Sequence, residues 1–276
     1  MAHLLSRRGF IVGGAAVVGT AALGGAALAT GTVHVPGRIS RLLDDEGPDG
    51  VVPDVPQGNV SRTTRHSSAR GVDVGFWTAV PDGHGDGKGL PVCLILHGLT
   101  ATTASYTAFG FGKFLTAAVR AGVPPFVLAG ADGGRTFWRG SGADDPQRML
   151  HDELPSWCSD LGFDASRVAA YGWSMGGYGS LYTAEHYPGW LRAVSALSPA
   201  IGTTDAVFTG VDALVGSRTA LWCGQSDPLL PAVQELARRI RGRPAIAAWD
   251  KGAHRRVYWN RVTPAAFAFV GRALTP

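Results

Sequence analysis

Beyond residue 59 the chain alternates short, unbroken apolar runs with longer stretches whose apolar positions recur at helical spacing. Residues 60–68 and 72–80 read as two opening strands, joined to the rest by a glycine-rich connection at 81–89. The runs at 91–96 and 126–129 carry no polar interruption, which is the pattern of strands buried on both faces. Further strands are predicted at 167–171, 193–197, 219–223 and 245–249. Helices are predicted over 106–121, 149–161, 177–186, 206–215, 230–241 and 264–274, with Pro155 expected to start a new turn or to kink its helix. Strand and helix in regular alternation imply an α/β fold: a mainly parallel, twisted sheet with helices on both faces.

The first 58 residues do not share this rhythm. Ser6-Arg7-Arg8-Gly9-Phe10 precedes a Gly/Ala-rich apolar stretch, and Ala27-Leu28-Ala29 supplies small residues for a cleavage site. Paired arginines before a weakly hydrophobic stretch resemble a twin-arginine export signal, so 1–29 is expected to be a signal peptide or an uncleaved anchor. The expected location is secreted or associated with the cell envelope. Residues 30–58 hold Pro36, Pro48, Pro53, Pro56 and the acidic Asp44-Asp45-Glu46, and are expected to be a loosely packed lead-in. That leaves 59–276 as the folded domain.

The composition narrows the classes without choosing one. The 276 residues are 45% hydrophobic, enough for one substantial core. A net charge of +4 is mild, and no basic run is interleaved with aromatics, so nucleic acid is not an expected partner. Cys93, Cys158 and Cys223 fit no metal-ligand spacing. Cys93 and Cys223 lie in apolar runs and read as buried thiols. A disulfide through Cys158 is left open.

Chemistry enters at Gly172-Trp173-Ser174-Met175-Gly176. This Gly-x-Ser-x-Gly sits between a predicted strand and a predicted helix, the setting in which a sharp turn exposes a nucleophilic hydroxyl. A serine hydroxyl needs a base to take its proton, and the base needs a carboxylate to orient it. His254 follows the last predicted strand, in Lys251-Gly252-Ala253-His254, and is the candidate base. Asp227, in Gly224-Gln225-Ser226-Asp227-Pro228 after a buried strand, is the candidate acid, with Asp250 as its competitor. His97-Gly98-Leu99 follows the strand at 91–96, so the backbone N–H groups of Leu99 and Met175 are the candidate oxyanion donors. His97 and Trp138 are assigned to the substrate pocket, Trp138 as a stacking surface near its mouth.

At these residues the chain resembles the putative esterase family of α/β-hydrolases, which includes esterase D, S-formylglutathione hydrolases and the antigen 85 mycolyltransferases. Leu96-His97-Gly98-Leu99-Thr100, Gly172 to Gly177, the 249–259 block around His254 and Met149 to Pro155 carry the resemblance, over about residues 60 to 276. It implies acyl transfer from a small-molecule, lipid or sugar ester through a Ser174 acyl-enzyme, with no metal or organic cofactor. The antigen 85 enzymes usually show aspartate where His97 stands and glutamate as the acid, which moves the reading toward a general exported esterase. An envelope acyltransferase is the alternative, and a non-catalytic envelope or adhesion protein on the same fold is a third class.

Overall fold

The computed structural model describes residues 46–242 and 244–275. The expected signal segment, 1–29, and the first part of the lead-in lie outside them. No helix among the described residues is long and apolar enough to cross a membrane.

Eight strands form one sheet: β1 (Asn59–Ser67), β2 (Val72–Val80), β3 (Pro91–Leu96), β4 (Val127–Ala131), β5 (Asp164–Trp173), β6 (Leu191–Leu197), β7 (Arg218–Gly224) and β8 (Ile246–Asp250). Their order is β1-β2-β4-β3-β5-β6-β7-β8. The β1–β2 and β2–β4 pairs are antiparallel and every later pair is parallel. The connection from β2 to β3 passes over the position that β4 then fills, and β5 lies in the middle of the sheet between β3 and β6.

The continuous apolar runs are the central strands because each supplies both faces. In β3, Cys93 and Ile95 belong to one core, and Leu94 and Leu96 to the other. Helices α1 (Phe111–Arg120) and α5 (Arg256–Ala273) contribute Phe114, Leu115, Phe267 and Val270 to the first. Helices α2 (Leu154–Asp160), α3 (Met175–His186) and α4 (Leu230–Arg239) contribute Leu154, Met175, Leu181, Val233 and Leu236 to the second. All three cysteines are buried and free, so Cys158 forms no disulfide; burial pushes its thiol up to about 12 and raises the other two as well.

Helix boundaries differ from expectation for local reasons. The helix expected from 106 begins at Phe111, because Gly110 sits at φ 75° and the preceding residues make separate turns. Pro155 does mark a change: a π-helical turn, Met149–Glu153, runs into α2 with Pro155 in its first turn. The stretch at 206–215 breaks at Gly210 into a helical turn and a 3-10 segment. Pro264 lies inside α5 rather than at its start, and the helix opens eight residues earlier. Residues 46–58 contain no helix or strand, yet they are fastened to α5: the Gly50 N–H donates to the Val257 carbonyl (2.9 Å) and Arg255 pairs with Glu46 (2.5 Å).

Candidate active site

The carboxyl ends of β5, β7 and β8 lie along one edge of the sheet, and each delivers one polar side chain. Ser174 follows β5 directly, at φ 54° and ψ −121°. A non-glycine residue there carries strain of about 1–3 kcal/mol, which the surrounding contacts must hold. They do so through three backbone bonds: Ser174 N–H to the Leu197 carbonyl (2.9 Å), and the Ser174 carbonyl accepting from Tyr178 (3.0 Å) and Ala200 (2.9 Å). The turn is tight enough that a Cβ on Gly176 would lie 1.9 Å from the Leu96 carbonyl oxygen, and one on Gly172 2.1 Å from that of Gly176. Only glycine fits at either place.

His254 reaches Ser174 from the loop after β8. Its Nε2 lies 2.9 Å from Ser174 Oγ, and its Nδ1 lies 2.9 Å from Asp227 Oδ2. A carboxylate accepts, so the Nδ1 hydrogen faces Asp227 and Nε2 is free to receive the serine proton. The Asp227 side chain is fully buried, and its other oxygen accepts from the Leu229 N–H (3.0 Å). Asp250, the competing acid, is exposed at the end of β8; its carbonyl accepts from the Gln225 N–H (2.8 Å) and so steadies the Asp227 loop. His254 keeps 29% of its side chain exposed, open to an incoming substrate. Trp259 stands edge-on to it, ring centroids 5.1 Å apart at 89°, and donates to Ser198 Oγ (3.1 Å).

The loop after β3 covers the serine turn. A Cβ on Gly98 would lie 3.5 Å from Ser174 Cβ, which puts Gly98 against the Ser174 side chain. Met175 occupies the first position of α3, where an N–H has no partner within the helix. Among the described residues neither the Met175 nor the Leu99 amide has a backbone acceptor.

His97 and Trp138 do not line a pocket, contrary to the sequence-based expectation. His97 is buried: Nε2 accepts from the Gly133 N–H (3.0 Å), so Nδ1 carries the hydrogen and donates to the Gly98 carbonyl (2.9 Å). Burial is the chief reason its pKa falls below the usual histidine value, and the ring stays neutral. Trp138 has no exposed surface; it lies over Gly133 and Gly179 and donates to the His97 carbonyl (3.2 Å). The two residues brace the loop that carries Leu99. Asp132, at the end of β4, braces the same loop by accepting from Thr103 N–H (2.7 Å) and from Gly75 N–H (3.1 Å). Sequence reading did not find Asp132; its place at a strand's carboxyl end was the available signal. Among the described residues no group of three His, Cys, Asp or Glu could hold a metal ion.

The family model described as Putative esterase matches residues 67–267. No curated protein matches the sequence. Among solved structures, a ferulic acid esterase is similar at 20% identity and TM-score 0.68, over 78% of this chain and 97% of that one. An S-formylglutathione hydrolase from Agrobacterium tumefaciens is similar at 17% identity and TM-score 0.64, over 78% and 95%. MPT51 of Mycobacterium tuberculosis is similar at 14% identity and TM-score 0.59, over 79% and 100%. At these identities the likeness concerns the fold, which is that of the α/β-hydrolases.

Proposed function

The chain belongs to the Putative esterase family, and from that premise we propose that it is an exported serine esterase that hydrolyses carboxylic esters through an acyl-enzyme on Ser174. The observation that carries this reading is the pair of 2.9 Å contacts that His254 makes, one to Ser174 and one to Asp227. In this reading Ser174 Oγ attacks the ester carbonyl carbon as its proton passes to His254 Nε2. Asp227, buried and held by Leu229, stabilises the imidazolium. The Met175 and Leu99 N–H groups receive the negative charge on the carbonyl oxygen, each worth about 3 kcal/mol in the transition state. The C–O bond to the alcohol then breaks, and His254 returns the proton to the departing oxygen. Water, deprotonated by His254, attacks the acyl-enzyme and frees the acid and Ser174. Transfer to a second alcohol in place of water uses the same steps; the likeness to MPT51 concerns the fold and does not favour it. Export rests on the Arg7-Arg8 segment alone.

A fluorophosphonate probe tests the nucleophile. The reading expects one covalent adduct, on the peptide containing Ser174, and none on Ser174→Ala. A folded wild-type protein that takes no label contradicts it.

A further inference from the structure

Arg256 opens α5 two residues after His254. Its guanidinium carbon lies 3.4 Å from the centre of the Phe109 ring. Phe109 packs on Trp173 (centroids 5.9 Å apart), the residue before Ser174, and Trp173 lies 6.5 Å from Trp259, which meets His254 edge-on. Ring contacts that run through the buried Trp173 therefore link Arg256 to the surroundings of both the candidate nucleophile and its base.

Arg256 lacks what its neighbours have. Arg255 is paired with Glu46, and Arg261 donates to the Glu46 carbonyl (3.2 Å) and also to the Pro48 and Lys251 carbonyls. Among the described residues no carboxylate pairs with Arg256. Two features make that costly. The side chain is only partly exposed, and burial lowers its pKa from the ordinary guanidinium value. It also sits at the first position of an 18-residue helix whose first turn holds no acid and whose N-cap side chain makes no capping bond, so the positive end of the helix dipole faces a positive charge. The Phe109 ring offsets part of this, by a cation–π contact.

We propose that Arg256 receives an anionic group, carboxylate or phosphate, carried by the ester that Ser174 attacks, so that the substrates are anionic esters. This rests on the esterase reading above. A planar guanidinium with no hydrogen-bond partner among the described residues can take a carboxylate or phosphate in two parallel bonds, and the partly exposed Trp259 beside His254 would border the apolar part of the substrate.

The test compares matched chromogenic esters: p-nitrophenyl acetate against mono-p-nitrophenyl succinate for an anion on the acyl side, and against 3-carboxy-4-nitrophenyl acetate for one on the alcohol side. Inorganic phosphate as a competitive inhibitor tests the phosphate arm. In wild type at least one anionic ester should have the higher kcat/KM. In Arg256→Gln the anionic-to-neutral ratio should fall about tenfold or more, through KM, and Arg256→Lys should recover part of it. A ratio that Arg256→Gln leaves unchanged overturns the anion proposal while the esterase reading stands. No turnover of any ester, together with no fluorophosphonate label, sinks both. Should Arg256→Gln not fold, the salt dependence of wild type decides: kcat/KM for the anionic ester should fall with ionic strength more steeply than for the neutral one, and parallel profiles reject the proposal.

Discussion

Trp138 Nε1 donates to the backbone carbonyl of His97 across 3.2 Å, in the buried layer between the loop after β4 and the loop after β3. A side chain whose type suggests sugar stacking is thus a fastener for the backbone that presents Leu99. Trp138→Phe keeps most of the packing and leaves the His97 carbonyl without its donor. The expected cost is about 1–3 kcal/mol of stability. Loosening of Leu99 should appear in kcat with KM little changed, measured on p-nitrophenyl acetate. A variant losing stability with kcat intact would separate the brace from the site.

His97 gives the protein an acid-sensitive element. Its folded pKa is depressed, while in the unfolded chain a histidine takes up a proton near pH 6.5. The unfolded state therefore binds more protons below about pH 6.5, and stability should drop as pH falls through that region toward the lower folded value. Denaturant melts at pH 7.5, 6.5 and 5.5 should show the decline, and His97→Gln should make it shallower. Equal slopes in the two proteins would assign the acid sensitivity elsewhere.

Glu185 acts in the opposite direction. It lies in the last turn of α3 with one carboxyl oxygen buried and, among the described residues, unpartnered, and burial raises its pKa to about 8. The folded state holds the proton more tightly than the unfolded one, so stability should fall as pH rises from about 4.5 toward 8. Glu185→Gln removes the ionisation. Its Tm at pH 8.5 should exceed that of wild type by roughly 3 °C or more, with the gap closing at pH 4.5. A gap that does not change with pH would point to packing instead.

Asp227 and Asp250 both end strands, and only Asp227 touches the imidazole. Asp227→Asn should lower kcat by about 10⁴-fold, because an amide does not hold the His254 tautomer. Asp250→Asn keeps the backbone carbonyl that bonds Gln225 and should stay within a few fold of wild type in the same assay. Reversal of these two effects would move the acid to Asp250.

The order of strands and helices was legible because burial on both faces leaves an unbroken apolar run, as in 91–96 and 219–223. The serine turn was legible because its geometry admits glycine alone at two positions. Asp227 and His254 were singled out by chain order after strands, and the structure brings His254 within 2.9 Å of both Asp227 and Ser174. The long-range fastenings were not legible. Nothing local in the sequence says that His97 accepts a bond from Gly133, 36 residues away, or that Trp138 fits over Gly179. The start of α5 was hidden for a similar reason: Arg255 stands at the N-cap in place of a capping residue, Arg256 rather than an acid opens the first turn, and Pro264 imitates a beginning. Arg255-Arg256 reads in the sequence only as one of several arginine clusters, because a cation with no partner among the described residues becomes visible only when its surroundings are known.

The reading depends above all on Ser174 acting as the nucleophile. The most direct measurement is steady-state hydrolysis of p-nitrophenyl acetate by wild type and by Ser174→Ala, prepared side by side with matched unfolding midpoints. A fall in kcat of about 10⁴-fold or more is expected. Turnover by Ser174→Ala within tenfold of wild type would contradict the assignment.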